Sequence, residues 1–228
     1  MTKKILLTFL FLLLTLGAEA KTADNRVQVV LKTDKGDITI ALYNETPLHK
    51  ANFIKLCKEH YYDSLMFHRV IKDFMIQTGD PKSRYAEIDT QLGDGDLGYT
   101  LPAEFLFPKF CHKRGAVAAA RTGDQMNPQK RSSGSQFYII WGQEFKSEKE
   151  TDEILSKITA KTGTKFPAEV RKTYFNYGGA PWLDGNYTVF GEVVKGLNTV
   201  DKIQSVAVND QDRPFNDVRI ISTKVIEP

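Results

Sequence analysis

Phe67-His68-Arg69-Val70-Ile71-Lys72-Asp73-Phe74-Met75-Ile76-Gln77-Thr78-Gly79-Asp80 reads as two short β-runs, Phe67–Ile71 and Met75–Thr78, joined by Lys72-Asp73-Phe74. Strand alternation puts Met75 and Gln77 on one face. A second block, Gly134-Ser135-Gln136-Phe137-Tyr138-Ile139, opens another run in which Gln136 and Tyr138 share a face. A third, Trp182-Leu183-Asp184-Gly185, is followed by Val189-Phe190-Gly191. Together the blocks collect one Arg, side-chain amides and large apolar groups. Such a surface is poor at proton transfer. It is suited to gripping an apolar ring while hydrogen-bonding a peptide group.

Outward from these blocks the chain keeps the same rhythm. Val27, Val29 and Leu31 alternate with polar residues, as do Ile38, Ile40 and Leu42, with Asp34-Lys35-Gly36 between them. That pattern predicts an antiparallel hairpin with one buried face. Thr46-Pro47 predicts a helix start, Thr as N-cap and Pro in the first turn, running to about Cys57. Further β-runs are expected at Ala116–Ala120, Gln136–Trp141, Val189–Val194 and Val218–Val225, and a short helix at Asn198–Gln204. Many short strands with few helices predict a closed or nearly closed β-barrel capped by helices. Residues 143–177 break the rhythm: they are charge-rich and helix-favouring, with a narrow apolar stripe at Ile154, Leu155 and Ile158. They read as an insertion between two barrel strands, lying on the surface, with Pro167 starting a second helix.

The 228 residues are 41% hydrophobic and 26% charged, which fits one globular domain with an insertion and excludes a disordered or polytopic membrane chain. With 31 Lys+Arg against 28 Asp+Glu and no long single-sign run, nucleic-acid binding through a basic surface has no support. Residues 1–20, MTKKILLTFLFLLLTLGAEA, combine a basic start, an apolar run from Ile5 to Leu16 and Ala18-Glu19-Ala20. This is the pattern of a secretory signal peptide. The apolar run would rise only about 18 Å as a helix, short of a hydrocarbon core of roughly 30 Å. An exported protein is expected, periplasmic or secreted, with no membrane span after cleavage and residues 21–228 as its domain. In an oxidising compartment Cys57 and Cys111 could pair; two buried free thiols are equally compatible with the sequence.

Other chemistries find no motif. His49, His60, His68 and His112 have no ligand spacing, so no metal is expected. Gly93-Asp94-Gly95-Asp96-Leu97-Gly98 faintly suggests a calcium loop, but position 12 counted from Asp94 is Phe105, not Glu, and a Gly/Asp turn accounts for it better. Walker, dinucleotide-binding and G-x-S-x-G signatures are missing.

In order and spacing, the three blocks resemble the cyclophilin family of peptidyl-prolyl cis–trans isomerases, and the likeness covers residues 26–142 and 178–228. The phrase Gly98–Phe105 and the long insertion are closer to bacterial members. The resemblance implies a mostly β fold: an eight-stranded antiparallel barrel capped by two α-helices, with 143–177 as a helical surface insertion. It implies isomerisation of X-Pro bonds in exported proteins, assisting their folding, by a monomer without cofactor. Arg69, Gln77 and Phe74 would be catalytic, Arg69 donating to the prolyl nitrogen. Phe74, Met75, Tyr138 and Leu183 would form the proline pocket. Gln77 would orient Arg69, Ala120 and Arg121 would offer backbone contacts, and Gln136 would touch the substrate chain. Trp182 and Tyr187 would sit at the rim, with His68 a secondary substrate-binding candidate. Partners would be proline-containing segments of unfolded proteins and cyclosporin-type inhibitors. The alternative is a non-catalytic peptide-binding or chaperone-like module that uses the insertion as its contact surface. Tyr138 stands where Phe is usual and Tyr187 where many members have His, and the added Tyr138 hydroxyl needs a partner.

Overall fold

The computed structural model describes residues 24–87 and 89–228; the expected signal peptide lies outside them. Strands β1 (Gln28–Thr33) and β2 (Gly36–Leu42) form the expected hairpin, pairing Val29 with Ile40 and Leu31 with Ile38. All four of these side chains are fully buried. Helix α1 (Pro47–Lys58) follows, then β3 (Arg69–Ile71), β4 (Met75–Thr78), β5 (Thr100–Leu101), β6 (Ala116–Ala119), β7 (Ser132–Ser133) and β8 (Phe137–Ile140). The insertion carries α2 (Glu148–Thr162) and α3 (Ala168–Tyr177); β9 (Val189–Lys195), α4 (Leu197–Gln204) and β10 (Ile220–Ile226) complete the chain.

Eight strands make one antiparallel sheet in the order β10-β1-β2-β9-β6-β8-β4-β3, while β5 and β7 pair separately. The sheet curls until its ends meet: Ser64 N–H donates to Ile220 O, Ile220 N–H to Leu65 O, and Phe67 N–H to Val218 O. Inward residues of the strands, among them Ile76, Val117, Ile139 and Phe190, pack with Phe53 and Leu56 of α1 and with Val200 and Ile203 of α4. Two helices therefore cap the barrel, as expected. Period-two alternation sends Met75, Ala116, Ala118, Tyr138 and Ile140 to the other face, where they form a second apolar cluster outside the barrel.

The start of α1 departs from expectation. The Thr46 hydroxyl caps nothing and turns back to Tyr43 O. The free N–H groups of Leu48 and His49 instead donate to the two carboxylate oxygens of Glu104, at 3.1 and 3.0 Å. A carboxylate at a helix N-terminus satisfies orphan donors and complements the helix dipole. Glu104→Ala is expected to lower the unfolding free energy by about 1–2 kcal/mol in urea titration; an unchanged midpoint would contradict this.

The insertion has a small core of its own. Phe145, Leu155, Phe166, Val170 and Tyr174 are buried together, with Ile154, Ile158, Phe107 and Cys111 packed against them. Of the expected stripe only Leu155 is fully covered. Cys57 lies in the barrel core and Cys111 beside the insertion core; both are free, and burial pushes both thiols up to about 12.

Candidate active site

The β3–β4 hairpin builds the site. Its register sets Arg69 opposite Gln77 and Ile71 opposite Met75. Asp73 takes a left-handed conformation in the turn, which turns the chain within three residues and delivers Phe74 beside Met75. β4 then pairs with β8, placing Gln77 next to Tyr138. The outer face of these strands meets the 181–187 segment around a cavity of about 420 Å³.

One wall is apolar: Phe74, Met75, Tyr138, Leu183 and Tyr187 line it. Arg69 and Gln77 also line the cavity, Gln77 beside Tyr138 in the strand register. Arg69 Nη1 donates to Gln77 Oε1 and Nε to Asp212 Oδ2, both at 3.4 Å. These contacts are long, and the Arg69 side chain remains 44% exposed. A carboxylate therefore touches Arg69 without drawing it out of the cavity. Behind it runs an amide relay. Gln136 donates through Nε2 to the carbonyls of Gly93 and Gly95, at 3.0 and 2.7 Å. Its Oε1 accepts from Gln77 Nε2 at 3.0 Å, so Gln77 Oε1 must face Arg69.

The structure places the other expected residues around this frame, Ala120 and Arg121 among the cavity lining. Gln136 is almost completely buried and braces Gln77; it does not line the cavity. Ala120 does line it, but its N–H donates to Gln136 O and its C=O accepts from Ser133 N–H. Its backbone N–H is thus committed within the protein. The side chain of Arg121 donates to Asn186 O, pairs with Asp124 and lies 4.5 Å from the centre of the Tyr187 ring. Trp182 packs its ring on Phe74, 5.6 Å between centres, and supports that wall from outside the cavity.

His68 is also outside the lining. It is buried, and neither ring nitrogen has a hydrogen-bond partner among the described residues. Burial pushes its pKa down to about 4. Unfolding restores an ordinary value near 6.5, so between these limits the unfolded chain binds more proton and stability falls as pH drops. The wild type is expected to lose up to roughly 2.4 kcal/mol more than His68→Leu between pH 7 and pH 4.5 in urea unfolding. Equal losses in the two proteins would contradict this.

Sequence reasoning missed one wall. Gln91, Leu92, Gly93 and Asp94 also line the cavity. Asp80, fully buried, holds this loop by accepting from Gly93 N–H and Gly95 N–H. The signal was present in the Gly/Asp run and in the Asp ending the first block, but nothing local shows that they meet. The Tyr138 hydroxyl does have a partner: it lies 3.1 Å from His112 Nε2. Among the described residues no group of three or more His, Cys, Asp or Glu is placed to hold a metal.

The structure thus places an arginine braced by amides over an apolar hollow, on the outside of a helix-capped antiparallel barrel, as the resemblance in the sequence implies. Residues 28–225 match the family model described as cyclophilin type peptidyl-prolyl cis-trans isomerase/CLD. The chain belongs to that family. It is 36% identical over 204 residues to a Staphylococcus haemolyticus protein named "Putative peptidyl-prolyl cis-trans isomerase", covering 89% of this chain and 92% of the relative. A Staphylococcus epidermidis protein of the same name is 36% identical over 206 residues, covering 90% and 94%. Among solved structures, a cyclophilin type peptidyl-prolyl cis-trans isomerase of Cryptosporidium parvum shares the fold with TM-score 0.63 at 22% identity, covering 88% of this chain and 98% of its own. A second structure of that protein was determined in the presence of the dipeptide Ala-Pro.

Proposed function

We propose that the protein binds X-Pro segments in the 420 Å³ cavity and accelerates rotation about the imide bond through Arg69. The observation that carries this is Arg69 facing the hollow while held by the Gln77–Gln136 relay. Rotation about a peptide C–N bond costs roughly 18–20 kcal/mol because the nitrogen lone pair is delocalised into the carbonyl. In the twisted state that lone pair is localised on nitrogen and accepts a hydrogen bond well; in the planar state it does not. A guanidinium donating there stabilises the transition state selectively. Arg suits the task because it stays charged and its fork has fixed geometry. Phe74, Met75, Tyr138 and Leu183 hold the pyrrolidine ring and exclude water, which strengthens the bond. The mechanism uses no proton transfer.

The substrates we infer are proline-containing segments of exported proteins, reached after removal of residues 1–20, and the role is to assist their folding. An inhibitor of the cyclosporin type would compete for the same hollow. Among the described residues no helix is long and apolar enough to cross a membrane. A binding-only module would have no need of the Arg69–Gln77–Gln136 relay, which favours catalysis. The test is exchange NMR on a short Ala-Pro peptide with substoichiometric protein. Accelerated cis–trans exchange is expected; a folded protein that leaves the exchange rate unchanged would reject the reading.

A further inference from the structure

We propose that Tyr174, on insertion helix α3, is a positioning residue of the proline pocket, acting through Asp184 and His112 on Tyr138; the proposal rests on reading that pocket as the isomerase site. The Tyr174 hydroxyl donates to Asp184 Oδ2 at 2.5 Å. Asp184 Oδ1 accepts from the His112 backbone N–H at 2.9 Å and from its Nδ1 at 2.7 Å. His112 Nε2 lies 3.1 Å from the Tyr138 hydroxyl. All four residues are buried, none more than 5% exposed, so water cannot replace a missing link.

One direction in the chain is fixed by chemistry. A carboxylate only accepts, so His112 Nδ1 carries a proton and donates to Asp184, while Nε2 closes the chain onto the Tyr138 hydroxyl. Both ends matter to the pocket. Tyr138 forms its apolar floor, and its hydroxyl is drawn away from the hollow into this buried chain. Asp184 anchors the segment that carries Leu183 and Tyr187, and Tyr187 packs edge-on against both His112 and Tyr138. Tyr174 occupies the second carboxylate oxygen and so fixes the plane in which Asp184 presents the first to His112. The insertion thereby supplies a side chain that sets the shape of the pocket, although no insertion residue lines it.

Loosening the floor weakens substrate and transition state alike, so the effect falls on KM. Tyr174→Phe is expected to raise KM for an Ala-Pro peptide about three- to tenfold with kcat kept within about twofold. A protein merely destabilised would lose active molecules and show a lower kcat at unchanged KM. In a Tyr138→Phe background the last link is missing, and adding Tyr174→Phe should raise KM by less than it does alone. An unchanged KM in the single variant, or the same rise in both backgrounds, would overturn the proposal. If Tyr174→Phe does not fold, the imidazole nitrogen signals of His112 in the wild type decide. A protonated Nδ1 supports the chain, and an unprotonated Nδ1 overturns it. A wild type without catalysed exchange would reject the isomerase reading, and the same His112 signals would still decide whether the chain exists.

Discussion

Replacing Asp184 by Ala is expected to lower the unfolding free energy by about 3–5 kcal/mol, a large share of the stability of a domain this size. The carboxylate is buried and accepts from three donors: the His112 backbone, the His112 ring and the Tyr174 hydroxyl. Alanine leaves all three without an acceptor in a place that water does not reach, and an unmade buried hydrogen bond costs far more than a made one contributes. The loss is spread over two structural units, because Tyr174 belongs to the core of the insertion and His112 to the segment entering β6. Asp184→Asn keeps one acceptor oxygen and is expected to fall between alanine and wild type. Urea titration followed by tryptophan fluorescence reads both; a loss below about 1 kcal/mol for alanine would mean that the three donors find other acceptors.

Arg69→Ala is expected to lower kcat/KM by about 10²–10³ with little change in stability. The size follows from what removal of one preorganised donor does to a developing charge elsewhere, about 2.7–4 kcal/mol. Stability is spared because the Arg69 side chain is substantially exposed and its contacts with Gln77 and Asp212 are both long; exposed pairs of this kind contribute little. Arg69→Lys should recover only a small part of the activity, since an ammonium is a mobile point charge without the planar fork that the Gln77 oxygen orients. Full recovery by Lys would mean that charge alone suffices and that the amide relay behind the arginine is ornamental.

Most of the scaffold is legible in the sequence because its signals are local. Alternation at Val29, Leu31, Ile38 and Ile40 marks a hairpin whatever follows it, and Met75–Thr78 is recovered to the residue. The apolar wall is legible for the same reason: Phe74, Met75, Tyr138 and Leu183 sit within blocks whose order carries the family pattern. What escapes is everything satisfied at long range. Glu104 caps α1 across more than fifty residues. Asp80 holds a glycine loop that becomes a wall. Gln136 donates to the carbonyls of Gly93 and Gly95, partners more than forty residues away. The insertion reads as a solvated face by composition, yet its one fully buried tyrosine reaches Asp184. Periodicity reports which side chains are covered; it does not report which distant polar group covers them.

The most direct test of the account is the exchange rate of an Ala-Pro peptide while bound, measured by NMR line shape at saturating protein for wild type and Arg69→Ala side by side. The account predicts that the variant still binds, with peptide shifts that report the apolar wall, while on-protein cis–trans exchange slows by at least about a hundredfold. Wild-type exchange in the bound Arg69→Ala complex would contradict it.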